Sequence, residues 1–139
     1  MKAEELMIGD YFFVEKDNLC IRKGTVVEIR GINADDRLEA KNLIGSVHCR
    51  PLDPFQFEGG IWLDYLEPIP LTPEILEENG FVYNESPFVQ SWEQFGLSLH
   101  LGGDGYRINC GQNVAMVIDS VHQLQHALRL CGINKEIVL

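Results

Sequence analysis

Closely spaced cysteines are missing from this sequence. Cys20, Cys49, Cys110 and Cys131 are scattered along the chain, whereas a structural zinc site draws its ligands in close pairs. No metal and no cofactor are therefore expected. No secretory leader is expected, because "MKAEELMIGD" carries acidic residues where a signal peptide would be apolar. The expected setting is cytoplasmic, with reduced and mostly buried thiols. No apolar run approaches the ~20 residues that cross a bilayer, so no membrane partner is expected. Positive charge is scarce: 11 Lys and Arg stand against 21 Asp and Glu, a net −10. Thirteen acidic against eight basic residues in 1–70, and eight against three in 71–139, leave each half near −5. A phosphate backbone is held by clustered cations, and "IRKG" (21–24) is the only adjacent basic pair. Direct nucleic-acid binding is thus disfavoured.

Catalytic signatures are equally sparse. No serine sits in G-x-S-x-G. "GGDG" (102–105) lacks the lysine and following helix of a phosphate loop and reads as a hairpin turn. Asp35, Asp36 and Glu39 lack the spacing of a calcium loop. His48 and Cys49 are adjacent, but neighbours on a strand face opposite ways and form no dyad there. No catalytic residue is assigned.

What the chain does have is a hydrophobic fraction of 45% with 6 prolines, the composition of a folded globular protein. Its first half reads as short strands. "DYFFVEK" (10–16) and "GTVVEIRGIN" (24–33) are rich in β-branched and aromatic residues. Val27 and Ile29 alternate with Val26, Glu28 and Arg30, the period of a half-buried strand. "NADDR" (33–37) reads as a polar turn, and "SVHCR" (46–50) and "IWLDYL" (61–66) as further strands around the loop "PLDPFQFEGG". Such strands with no helix between them predict a small closed barrel of SH3-like type over residues 1–70.

Residues 71–139 read as an α+β unit of helix, antiparallel strands and helix, so the fold class is α+β. Thr72 is placed as N-cap with Pro73 at the first helical position, and Leu71 and Leu76 can staple that start. Gly80 can turn left-handed past the end, with Phe81 folding back on Leu76. "FVYNE", "SWEQFGLSLHL", "YRINC" and "VAMVI" follow as strands. A last helix is predicted from Ser120, with Gln123 completing a capping box, to Gly132, and "EIVL" reads as an edge strand.

That last helix carries the densest cluster of chemically capable side chains. Val121, Leu124, Ala127, Leu128 and Cys131 share its packing face, while His122, His126 and Arg129 fall on another side with Gln125 beside them. Histidines four apart can chelate zinc. Here the intervening residues are Gln-Leu-Gln, without the glutamate that activates water, and Arg129 would repel a cation. His122, Gln125, His126 and Arg129 read instead as a packing or interaction surface. Trp62 and Tyr65 join that candidate surface, since small barrels grip peptides with such rings. Phe55 and Phe57 beside them could grip peptides likewise, but for all four rings core and rim packing is the favoured reading.

Four segments together, "LMIGDYF" (6–12), "VVEIRGI" (26–32), "LEPIPLTPEILEENGF" (66–81) and "VHQLQHALRLCG" (121–132), resemble a family of short uncharacterised proteins of gut anaerobes and their phages and mobile elements. Members often show Asn where this chain has Asp10 and an acidic residue where it has Pro73. The resemblance implies a cytoplasmic setting and a mobile-element origin, and carries no activity. The function expected is a non-enzymatic protein-binding or adaptor module, with a protein partner or self-association. The alternatives are a small metal-dependent hydrolase using His122 and His126, and an acidic regulator of a nucleic-acid-binding protein.

Overall fold

The structure is a computed structural model that describes residues 1–85, 90–94, 97–110 and 115–139, without the side chains of Gln90, Cys110 and Ala115. The described residues form ten strands in two antiparallel sheets and two α-helices, an α+β architecture with one helix near the C-terminus. The chain falls into two compact units, Met1–Ile69 and Pro70–Leu139.

The first unit holds β1 (Tyr11–Val14), β2 (Val26–Leu38), β3 (Leu43–Pro51), β4 (Gly59–Trp62) and β5 (Leu66–Pro68). Their order across the sheet is β4-β3-β2-β1-β5. Alternation drives the assembly: β3 buries Leu43, Gly45, Val47, Cys49 and Pro51 while the residues between face outward. Phe12, Val14, Val27, Ile29, Val47, Cys49 and Ile61 form one core cluster. Fully buried Phe12 alone contributes about 1.5–3 kcal/mol of apolar transfer. On the opposite face Glu28 lies across from Arg50 and bonds it, and also reaches Arg30 at 3.4 Å.

Two expectations need correction here. The closed barrel is an open sheet. The strand expected over 61–66 breaks at a 3₁₀ turn, Leu63–Tyr65, and its two halves pair with opposite edges, β4 with β3 and β5 with β1, with no ladder between them. The polar stretch 33–37 is no turn but the far part of β2, with an irregular register between Asn33 and Arg37. Within it Asp36 accepts from Asn33 Nδ2 at 2.9 Å and from Ser46 Oγ on the facing strand.

In the second unit α1 (Pro73–Glu78) precedes β6 (Val82–Glu85), β7 (Gln90–Gln94), β8 (Leu97–Gly102), β9 (Gly105–Cys110) and β10 (Ala115–Ile118), and α2 (Val121–Leu130) follows. The five strands form a meander in chain order. Phe95, Gly96 and Val114 of the expected strands lie outside the described residues. Trp92, Leu99 and Ile108 stand opposite one another on one face of the sheet and are all buried. Tyr83, opposite Trp92, tilts against it at 4.9 Å between ring centres.

The ends of α1 are built as its sequence dictates. Thr72 Oγ1 accepts from the Ile75 N–H at 3.3 Å, a cap worth about 1 kcal/mol. At the other end the Gly80 N–H donates to Glu77 and the Phe81 N–H to Leu76, each at 3.0 Å, with Gly80 at φ +87°. Past α2, Gly132 and Ile133 donate to Arg129 and Leu128 in the same pattern.

The start of α2 differs from the capping box. Ser120 bridges Pro70 in strand fashion and its hydroxyl meets His122 Nδ1 at 3.0 Å, so it does not cap. Gln123 Oε1 instead accepts from the Asp119 N–H at 2.8 Å. The "EIVL" tail is no strand either. The buried amide of Asn79 donates to the Val138 carbonyl at 2.8 Å and accepts from its N–H at 2.7 Å, taking the place of a pairing strand.

Candidate functional site

The six candidate surface residues divide between the units, Trp62 and Tyr65 in the first and His122, Gln125, His126 and Arg129 in the second.

In the first unit, residues 15–25 connect β1 to β2 and are shaped by their own polar side chains. Asn18 Oδ1 accepts from the N–H groups of Cys20 and Ile21, both at 2.9 Å, and Asp17 Oδ1 accepts from the Lys23 N–H at 3.0 Å. Ile21 is driven into the core, which leaves Leu19 wholly exposed. β4 starts hard against this loop. A Cβ on Gly59 would sit 2.7 Å from Cys20 Cβ, so the approach requires glycine.

The loop, β4 and the following 3₁₀ turn enclose an open groove of about 540 Å³, whose lining includes Asp17, Asn18, Leu19, Cys20, Lys41, Ile61, Trp62 and Tyr65. Trp62 and Tyr65 are half-buried, each offering part of its ring to solvent. Aromatic groups in that state suit recognition, since covering them removes a large apolar area without losing a packed position. Lys16 Nζ lies 5.4 Å above the Tyr65 ring centre, within cation–π range. The groove thus has apolar and aromatic walls, with one cation, Lys41, and one acid, Asp17, in its lining. A second cavity of about 360 Å³, between residues 1–4 and Ile44, Gly45 and Leu63, carries no aromatic, histidine or cysteine.

Phe55 and Phe57 correct the packing expectation. They are 91% and 86% exposed, on the loop between β3 and β4. The cause is Gln56 between them. Its Oε1 accepts from the Arg22 N–H at 3.1 Å, and its Nε2 donates to Thr25 Oγ1 at 3.0 Å and Asp53 Oδ2 at 3.1 Å. With the middle side chain tied inward, both phenyl groups are turned out. Asp53 Oδ1 also accepts from the Phe55 N–H at 2.9 Å, which with the Gln56 amide and the nearby Arg22 charge holds the Asp53 carboxyl below its usual range.

His48 and Cys49 face opposite ways. His48 Nε2 lies 3.0 Å from Glu58 on the exposed side, while burial pushes the Cys49 thiol up to about 12. Cys49 is therefore a thiol and no nucleophile at neutral pH. Of the other described cysteines, Cys131 is half-buried and Cys20 exposed, so the expectation of mostly buried thiols holds for Cys49 alone.

On α2 the candidate row is split. His122 and Gln125 are buried, His126 is half-buried and Arg129 is exposed. The two imidazoles meet edge to face with 5.7 Å between centres. Among the described residues no three of His, Cys, Asp and Glu are grouped as metal ligands would be. No helix among them is long and apolar enough to cross a membrane.

The sequence reading missed Leu19 and Lys41, and favoured packing for the outward phenylalanines. A signal for the last existed: Phe-x-Phe between Pro54 and Gly59 lies on a loop, and loops run over the surface. For the turn that expels Leu19 the signal was Asp17-Asn18, whose side chains bond the backbone a few residues on. Compared with known proteins, the chain matches no family model, no curated protein and no solved structure.

Proposed function

We propose that the protein is a non-enzymatic protein-binding module, an adaptor, whose working surface is the groove of the first unit. One observation carries this reading: Trp62 and Tyr65, half-buried, wall an open groove that also has Leu19 and Ile61 on its apolar side and Lys41 at its margin. A cleft of this size, mainly apolar with a few polar groups such as Asn18 and Lys41, suits an extended peptide segment. The first unit reads as SH3-like on its strand order, with β5 and β4 at the two edges and a single 3₁₀ turn joining them. The likeness of four segments to proteins of gut anaerobes and their mobile elements adds a cytoplasmic setting and a mobile-element origin to the proposal.

The test is selection from a random peptide library on the full chain, repeated on Trp62→Ala. Enriched peptides that bind the wild type and lose about tenfold or more in affinity on Trp62→Ala are expected. If no sequence is enriched, or if enriched peptides ignore Trp62→Ala, the groove is not the working surface.

A further inference from the structure

We infer that Asn79–Gly80 is a modification site of the second unit: the fold holds off its deamidation, and deamidation, once it occurs, unlatches the Glu136–Leu139 segment. The reaction needs no co-reactant except water, and it is independent of the groove in the first unit.

The chemistry starts from the sequence. Asn-Gly occurs once in the chain, at 79–80. A backbone nitrogen that follows asparagine can attack the carbonyl carbon of the asparagine side chain, and glycine, with no Cβ, leaves that nitrogen most open. A bond forms between the Gly80 nitrogen and Asn79 Cγ, the Cγ–Nδ2 bond breaks, and ammonia leaves with the Gly80 N–H proton. The product is a succinimide ring. Water attacking Cγ reopens it to aspartate, and water attacking the Asn79 backbone carbonyl carbon reopens it to isoaspartate. In balance one water is consumed, one ammonia is released and no electrons are transferred.

The fold opposes the first step at both reacting atoms. Asn79 is 1% exposed. Its Nδ2 donates to the carbonyls of Ile75 and Val138, each at 2.8 Å, and its Oδ1 accepts from the Val138 N–H at 2.7 Å. The attacking nitrogen is engaged as well, since the Gly80 N–H donates to Glu77 at 3.0 Å. Reaction therefore waits for a local opening that breaks these bonds together. Gly80 is exposed, so water reaches the ring once it has closed.

The products cannot remake the contacts. Aspartate replaces the Nδ2 donor with an oxygen that faces two carbonyl oxygens, those of Ile75 and Val138, in a site shut off from solvent. Isoaspartate lengthens the backbone by one atom at a helix end built from bonds three to five residues apart. Either way Val138 loses its clamp, and the neighbouring Ile137, 2% exposed, loses the anchor that seats it. A transient opening is thereby made permanent.

Peptide mass mapping of the full chain, incubated at mildly alkaline pH with and without urea, tests the inference. Asn79 should be the first asparagine converted, and in the folded chain its conversion should run about tenfold or more slower than in urea. In the converted fraction, amide exchange at Val138 should accelerate by about tenfold or more. Ile137→Ser, which loosens the segment without touching either reacting residue, should raise the folded-state rate by about tenfold, towards the rate in urea. A folded-state rate equal to that in urea, another asparagine converted first, a Val138 amide still protected after conversion, or a rate unmoved by Ile137→Ser would each overturn the inference.

Discussion

In the second unit Phe81, Trp92 and Tyr106 are 3%, 7% and 4% exposed, whereas in the first unit Phe55 and Phe57 stand almost wholly in solvent. Each unit contains a five-stranded antiparallel sheet, so sheet architecture does not explain the difference. For Phe81 against Phe55 and Phe57, the origin is the way each connection is fixed. Near α1, contacts span three to five residues: Thr72 to Ile75, Gly80 to Glu77, Phe81 to Leu76. These caps turn Phe81 inward. In the first unit a single amide, Gln56, ties residues 31 and 34 positions away in the chain, and that tie turns its neighbours outward. Local closure buries Phe81, and a long-range tie displays Phe55 and Phe57.

That contrast can be broken or sharpened by mutation. The largest effect is expected at Phe12, fully buried in the core of the first unit. Phe12→Ala should cost about 3–5 kcal/mol in urea unfolding; a loss below 1 kcal/mol would show that the display loop, and not the core, carries that unit's stability. Asn79→Ala comes next. It removes three hydrogen bonds, one to Ile75 and two to Val138, for a cost of about 1–3 kcal/mol. Amide exchange at Val138 should accelerate in step, and an unchanged rate would mean that the tail is held by something other than this amide. The smallest effect belongs to the displayed pair. F55S/F57S should leave stability within about 0.5 kcal/mol of wild type, because neither ring is packed. A loss comparable to that of Phe12→Ala would erase the contrast.

Legibility in the sequence followed the same division. Thr72, Pro73, Gly80 and Phe81 state the helix they bound, because a cap depends on residues within one turn of each other. Alternation in β2 and β3 was equally readable, since side-chain direction repeats every two residues. The capping box failed at Ser120, whose partner Pro70 lies fifty positions away and holds it in a strand bridge. The break at Leu63–Tyr65 was hidden inside a stretch that reads as one strand, and only pairing with two different neighbours divides it. The candidate site was half legible. Trp62 and Tyr65 were marked by residue type, but the groove between them and Leu19 exists only because Gly59 lets β4 close on Cys20.

By itself the sequence determined the class of the fold, the positions of most strands and the ends of α1, because each of these is set by contacts between near neighbours in the chain. Tertiary structure decided whether the first sheet closes, which way Phe55 and Phe57 point, and how the row of polar side chains on α2 divides between inside and outside. Those outcomes depend on which distant residues meet, and neither composition nor periodicity encodes that meeting.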